Sequence, residues 1–303
     1  MREVSALPAP EACRHAAFRI RFREALIFWG AKKGAGAMAV RKTNILDLGR
    51  MKAEGAKIVM ITAYDALFAR IFDDVGVDVI LVGDSLGQVV LGHSSTLNVT
   101  MEDMVRHTEA AARGRKRAFL IADMPFLSYQ TCAADAIRNA GRLLQAGAEA
   151  VKLEGGRNAA ETIRAIASAD IPVMGHIGLT PQSVHRMGGY RVQGKTDLQR
   201  ERLLDDAAAV QEAGAFSVVL EGMPAALAEE ITRTLSIPTI GIGAGVGCDG
   251  QVLVMHDLLG LFDEFRPKFV KRFGELRKPV EDAVGAYAAA VRDGSFPGKE
   301  HSF

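Results

Sequence analysis

From Lys57 onward the chain repeats one pattern: a short unbroken apolar run that stops at a charged or small residue, followed by a stretch of helical character. The runs read KIVMIT (57–62), DVILVG (78–83), AFLIAD (118–123), EAVKLE (149–154), IPVMGH (171–176), FSVVLE (216–221), IPTIGI (237–242) and, more weakly, QVLVM (251–255). Strands with one wet face alternate apolar and polar residues, whereas continuous runs suit parallel strands covered on both faces. Local signals place helices between them. Thr100 with Glu102 and Asp103 predicts one capped start, Thr131 predicts another for the stretch ending at Gly147, and a helix over 197–213 should stop at Gly214. An internal echo supports the same architecture: AGAEAVKLEG (146–155) returns as AGAFSVVLEG (213–222), and each leads on to an Ile-Pro strand, IPVMGHIG at 171 and IPTIGIGAG at 237. A repeated helix–strand unit implies a cyclic or open α/β array. Eight runs over roughly 200 residues fit a (β/α)₈ TIM barrel, with a doubly wound sheet as the alternative.

Composition limits what such a fold would act on. The net charge of +1 provides no field for nucleic acid, and no apolar run is long enough to span a membrane, so small-molecule partners are expected. Cys13, Cys132 and Cys248 are isolated and odd in number, which excludes a disulfide framework or a zinc cluster and points to a reducing, cytoplasmic setting. Residues 1–37 read differently from the rest, with Arg14, Arg19, Arg21 and Arg23 and the loose AKKGAGA. The segment is not serine-rich and holds Glu3, Glu11 and Glu24, which argues against a transit peptide. They are expected to be a disordered or mis-started extension, leaving 38–303 as a single catalytic domain.

The ends of the runs carry the chemistry. Asp84 and Ser85 follow the second, Asp123 ends the third, Lys152 and Glu154 close the fourth, His176 ends the fifth and Glu221 the sixth. In a parallel barrel every carboxyl end opens on one face. One acidic residue there commonly does no more than cap a helix. Four carboxylates with a lysine and a histidine repel one another unless a cation or a shared proton offsets them. Asp84, Asp123 and Glu154 form an oxygen-only set that suits Mg²⁺. Lys152 has the parity of Glu154 and would pair with it or hold a substrate carboxylate. His176 reads as a substrate-contacting wall residue, and Glu221, on a later strand, as a base separate from the metal set. The glycines of GIGAGVG (241–247) miss the G-x-G-x-x-G spacing and follow the seventh run rather than the first, so they read as a tight turn and not as a dinucleotide site.

With these residues placed, the chain closely resembles the ketopantoate hydroxymethyltransferase family. The blocks that carry the resemblance are ITAYD (61–65), LVGDSLG (81–87), VVLGHSST (89–96), ADMPF (122–126), VKLEGG (151–156), GHIGLTPQSV (175–184), GGYRVQGK (188–195), VVLEGMP (218–224), IPTIGIGAG (237–245), CDGQVLVMHDLLG (248–260), PKFVK (267–271) and FPGKEHSF (296–303), so it covers about residues 40 to 303. The resemblance implies a barrel of the phosphoenolpyruvate mutase type, Mg²⁺ dependence and a homo-oligomer, a decamer in the family. It implies transfer of a hydroxymethyl group from 5,10-methylenetetrahydrofolate to 3-methyl-2-oxobutanoate through a Mg-stabilised enolate, giving 2-dehydropantoate for pantothenate biosynthesis. By motif match Asp84, Asp123 and Glu154 would be metal-associated, Asp84, Ser85, Asp123 and Lys152 would hold the keto acid, and Glu221 would accept the proton. Tyr64 and the loop 178–194 are expected to line the mouth. Two other readings use the same residues. A Mg²⁺-dependent carbon–carbon lyase acting on a 2-oxo acid would need no folate, and a small-molecule sensor would bind without turnover.

Overall fold

Period-two alternation along parallel strands sorts their side chains into two layers, and here both layers are apolar. In the computed structural model, which describes residues 41–263 and 267–303, eight strands pair in parallel in chain order and the last closes on the first. They are β1 (Ile58–Thr62), β2 (Val79–Val82), β3 (Phe119–Asp123), β4 (Ala150–Lys152), β5 (Val173–Gly178), β6 (Ser217–Glu221), β7 (Thr239–Ile242) and β8 (Gly250–Leu253). Each falls within about two residues of an apolar run predicted above. Closure into a barrel settles the choice against the doubly wound sheet. The predicted extension 1–37 lies outside the described residues, which belong to one compact unit.

One set of strand residues, including Met60, Leu81, Ile121, Met174 and Val219, fills the barrel interior. Their alternates Ile61, Ile80, Leu120, Val151 and Val218 face the helices in a second, larger cluster. Burying each such side chain contributes about 1.5–3 kcal/mol, which offsets the entropy lost on ordering the chain. The helices are α1 (Ile45–Glu54), α2 (Ala66–Val75), α3 (Leu86–Val89), α4 (Met101–Gly114), α5 (Ala133–Gln145), α6 (Ala160–Ala167), α7 (Val184–Met187), α8 (Asp197–Glu212), α9 (Ala225–Thr234), α10 (Met255–Leu258) and α11 (Arg277–Asp293). Leu48 of α1 joins the interior cluster, so this helix, capped by Asn44 and Asp47, packs its apolar face into the barrel. Gly175 of β5 faces α8, where a Cβ would come within 2.5 Å of Val210 Cγ1; the missing side chain lets helix and strand approach.

Thr100 caps α4 as expected, with Asp103 completing a capping box. Thr131 does not cap α5. The N-cap is Cys132 without a side-chain bond, and the Thr131 hydroxyl donates to Asp135 Oδ2 at 3.1 Å instead. The alternation of strand and helix also lapses once. β7 passes to β8 with no helix between them, through a turn that holds Gly243 and Gly245 at φ 61° and 84°. The 241–247 glycines therefore serve a turn.

Candidate active site

The inward parity that buries Ile121, Ala150, Met174 and Val219 also carries Asp123, Lys152, His176 and Glu221 to the interior, two residues further along β3, β4, β5 and β6. Register aligns them: Asp123 sits opposite Lys152, and Gly178 opposite Glu221. Asp84 and Ser85 follow β2 and Glu154 follows β4. All seven predicted site residues, Asp84, Ser85, Asp123, Lys152, Glu154, His176 and Glu221, line one cavity of about 870 Å³ at the carboxyl ends of the strands. The sequence-based set is thus brought together.

The contacts run across the strands. Asp84 N donates to Asp123 Oδ2 at 2.9 Å. Lys152 Nζ lies 3.1 Å from Asp123 Oδ1, within ion-pair reach but off the line of a hydrogen bond. Lys152 therefore pairs with Asp123, and no ion pair with Glu154 forms. His176 occupies that place: its Nδ1 lies 3.4 Å from Glu154 Oε1 and its Nε2 3.1 Å from Glu221 Oε2. Nδ1 is also 3.3 Å from Lys152 Nζ, a bond open only to a neutral ring, since an ammonium can only donate. Charge decides between them. Burial and Lys152 pull the imidazole down, but the flanking Glu154 and Glu221 prevail and raise its pKa to about 9. At neutral pH the ring is an imidazolium held between two carboxylates, and Lys152 belongs to Asp123. Glu221 is therefore linked to the rest through His176 rather than standing apart.

Burial, reinforced by the charges of Asp123 and Glu154, pushes the Asp84 carboxyl well up. Burial raises Asp123 as well, against the pull of Lys152 and of the Asp84 amide. Burial would depress Lys152, yet Asp123, Glu154 and Asp84 hold its ammonium above the ordinary lysine range. Counted at full ionisation, four carboxylates against one ammonium and one imidazolium carry a formal charge of −2, and the raised Asp84 and Asp123 carboxyls show that this excess is unfavourable without a proton or a cation. A divalent cation would balance that charge. Among the described residues no group of three or more His, Cys, Asp or Glu side chains converges tightly enough to hold a metal by itself. The Glu154 oxygens face His176 and the Gln182 amide, leaving Asp84 and Asp123, whose buried Oδ1 lacks a hydrogen bond. Two carboxylates completed by water and substrate suit Mg²⁺ or a similar hard divalent ion.

Two residues that the sequence reading did not single out organise the wall. Gln182 is buried on a single 3₁₀ turn, Pro181–Ser183. Its Nε2 donates to Asp84 Oδ2 at 2.9 Å and to Met124 O at 3.0 Å, and its backbone N donates to Glu154 Oε2 at 2.9 Å. Its Oε1 accepts from the Tyr129 hydroxyl at 2.7 Å, and Tyr129 in turn meets the Glu154 backbone. Buried amides and phenols this fully bonded fix the geometry of the groups they touch. Pro181 was the sole local signal, as a turn starter; nothing near Tyr129 in the sequence marked it. Tyr64 does not line the cavity but stands behind Ser85, hydroxyl to hydroxyl at 2.9 Å. The 178–194 loop does line it, through Leu179, Pro181, Tyr190, Arg191 and Val192.

The family model described as ketopantoate hydroxymethyltransferase matches residues 42–299. The chain is 61% identical over 264 residues to the 3-methyl-2-oxobutanoate hydroxymethyltransferase of Geobacter sulfurreducens, covering 87% of this chain and 99% of that one. It is 61% identical over 267 residues to the enzyme of the same name from Syntrophotalea carbinolica, covering 88% and 100%. Among solved structures it is similar to a phosphonopyruvate hydrolase in complex with oxalate and Mg²⁺ (TM-score 0.56, 14% identity, 86% and 93% covered). It is also similar to 2,3-dimethylmalate lyase, a member of the phosphoenolpyruvate mutase/isocitrate lyase superfamily (TM-score 0.55, 19% identity, 86% and 92% covered). Those two likenesses establish the barrel type.

Proposed function

Because the chain belongs to the ketopantoate hydroxymethyltransferase family, we propose that its cavity converts 3-methyl-2-oxobutanoate to 2-dehydropantoate with 5,10-methylenetetrahydrofolate as the one-carbon donor. The observation that carries this reading is the convergence of Asp84, Asp123, Lys152, His176 and Glu221 on one cavity, the first four buried, with more carboxylates than cations among them. Asp84 and Asp123 would hold Mg²⁺, with Glu154 behind them through water. Bound there, the ion would act as a Lewis acid toward the keto oxygen of the substrate.

The protein's own groups do the rest. Ser85 and Lys152 receive the substrate carboxylate, Lys152 as the one buried ammonium of the cavity among the described residues. Glu221 takes the C3 proton; general-base help of this kind is worth about 10²–10⁴ in rate. His176, charged at neutral pH, holds its Nε2 at 3.1 Å, ion-pair distance, from the Glu221 carboxylate and faces the substrate as a wall. The carbanion at C3 then bonds to the methylene carbon as one of that carbon's two bonds to folate nitrogen breaks; water displaces the second nitrogen to leave the CH2OH group, and the proton taken by Glu221 and one from water go to the two freed nitrogens. A cavity of about 870 Å³ is of the size that holds a drug-sized molecule, which leaves room for a folate beside a five-carbon acid.

A homo-oligomer, a decamer in this reading, is supported by α11, which buries none of its residues and exposes Val280, Val284, Tyr287 and Val291 along one side. No helix among the described residues is long and apolar enough to cross a membrane, and a cytoplasmic location belongs to the same proposal. Family membership favours this reading over the lyase and the sensor. The test is to follow loss of the C3 proton of 3-methyl-2-oxobutanoate by NMR in heavy water, with and without Mg²⁺ and the folate. Metal-dependent exchange, followed by 2-dehydropantoate once the methylene-folate is added, is expected. No exchange from folded, metal-supplied protein would overturn it.

A further inference from the structure

Behind the wall formed by Glu154, His176 and Gln182 lies a second cavity of about 430 Å³ that shares no lining residue with the first. Its lining nevertheless follows directly on the site in sequence: Gly155 succeeds Glu154, Ile177 succeeds His176 and Ser183 succeeds Gln182. The partition is thin, because Gly155 and Gly178 stand on it at φ 128° and 95° and carry no side chain to thicken it.

The cavity is polar, and its chemistry is lopsided. Most of its side-chain acceptors are already engaged. Asn158 Oδ1 accepts from Gly156 N at 3.2 Å, Gln199 Oε1 from Lys195 N at 3.0 Å, and Asp206 Oδ1 from Arg157 N at 2.8 Å. What remains is chiefly donors: the amide nitrogens of Asn158 and Gln199, the Ser183 hydroxyl, and the guanidinium groups of Arg186 and Arg202. Neither arginine makes an ion pair or a side-chain hydrogen bond among the described residues, although Asp206 lies one helical turn from Arg202. Two guanidinium groups against one carboxylate give the cavity a positive balance. An exposed arginine is ordinarily just solvated. Two unpaired ones converging on a half-open pocket of spare donors match the fork geometry with which arginine takes carboxylate and phosphate.

The same residues offer a route to the active site. Thr180 and Ser183 line the second cavity, while Gln182, on the same 3₁₀ turn, reaches the other way to Asp84 and Glu154. A turn of three residues cannot move one face without the other. We propose that this second cavity binds a small oxyanion, a carboxylate or a phosphate group, and that its occupancy is transmitted to Asp84 and Glu154 through the Pro181–Ser183 turn.

The experiment uses the full chain with inorganic phosphate and, separately, succinate, each against chloride at equal ionic strength. Binding is measured by calorimetry and backbone protection by hydrogen–deuterium exchange. At least one of the two anions is expected to bind saturably, and which one identifies the group recognised. The exposed double variant Arg186→Gln/Arg202→Gln should weaken that binding at least tenfold while leaving turnover without the anion unchanged. Exchange over residues 179–188 should change on binding in the parent and not in the variant. Binding that the variant retains, or that chloride matches, would overturn the site. Binding with unaltered exchange at the turn would overturn its connection to Gln182. Neither readout requires turnover, so failure here is distinguishable from failure of the proposed reaction.

Discussion

Replacing Gln182 with leucine removes an amide of similar volume from the centre of the wall and leaves its backbone in place. The lost Nε2 bond ends on Asp84 at 2.9 Å, a buried carboxylate whose charged form burial and two neighbouring carboxylates already disfavour. A hydrogen bond to a charged group contributes about 1.5–3 kcal/mol. At about 1.4 kcal/mol per tenfold in rate, its loss should lower kcat/KM by about 10- to 150-fold. The Met124 carbonyl and the Tyr129 hydroxyl also lose a partner, which should take a further ~1 kcal/mol each from stability. The Gln182 N–Glu154 bond survives, because it is made by backbone. Gln182→Glu is the sharper partner experiment. It keeps the shape but sets a carboxylate against Asp84, so it should be worse than leucine. The assay is steady-state formation of 2-dehydropantoate at several Mg²⁺ concentrations, with circular dichroism to establish folding. A leucine variant within threefold of the parent, with the same Mg²⁺ half-saturation, would refute the argument that Gln182 holds Asp84 in its working state.

Glu221→Gln should abolish both turnover and C3 proton exchange, by about 10²–10⁴, while calorimetry still detects the keto acid; near-parental exchange would remove Glu221 from the base role. Stripping divalent ions with EDTA should stop exchange and Mg²⁺ should restore it, with Asp123→Asn needing markedly more Mg²⁺; an unaltered requirement would take Asp123 out of the metal site. Asp73 allows a test of stability alone. Burial raises this carboxyl, but the amides of Ala118, Arg117 and Lys116, at 2.6 to 2.9 Å, outweigh burial and hold it below its usual value. A depressed pKa contributes stability above the unfolded value near 3.9 and loses it as pH falls through the folded one. Asp73→Asn should therefore cost about 2–3 kcal/mol at pH 7, and the gap between variant and parent should close below about pH 4; a gap independent of pH in thermal melts would contradict this.

The barrel was legible because its physics is local and repeated. A parallel strand buried on both faces must be apolar at every position, so β1 to β7 announce themselves as unbroken runs. The same reasoning is weakest where local signals compete. Both Thr131 and Cys132 precede α5, and chain geometry rather than residue preference decided which becomes the cap. The turn from β7 to β8 was equally obscure, since no propensity says that a barrel will omit one helix.

The active site divides along the same line. Asp123, Lys152, His176 and Glu221 were visible because they interrupt an apolar period at its carboxyl end, and parity alone then sends them inward. Their pairing was not visible, because parity orders residues along one strand and says nothing of neighbours across it. Lys152 and Glu154 share a parity yet do not pair; register places Asp123 beside Lys152, and His176 takes Glu154. Gln182 and Tyr129 lie off the strands, where no period applies, and an uncharged side chain raises no electrostatic question that a sequence could pose. Their part follows only from the charges they touch. The site has neutral donors at Asp84 and Glu154 as well as cations at Asp123 and Glu221, and a third cation there would leave less negative charge for Mg²⁺. An amide and a phenol supply hydrogen bonds without neutralising anything. By the same reasoning Gln182→Lys, which adds that third cation beside Asp84, should depress Mg²⁺ affinity more than Gln182→Leu does, and calorimetric titration of the two variants with Mg²⁺ would decide it. Equal affinities would mean that the wall is built for packing and not for charge.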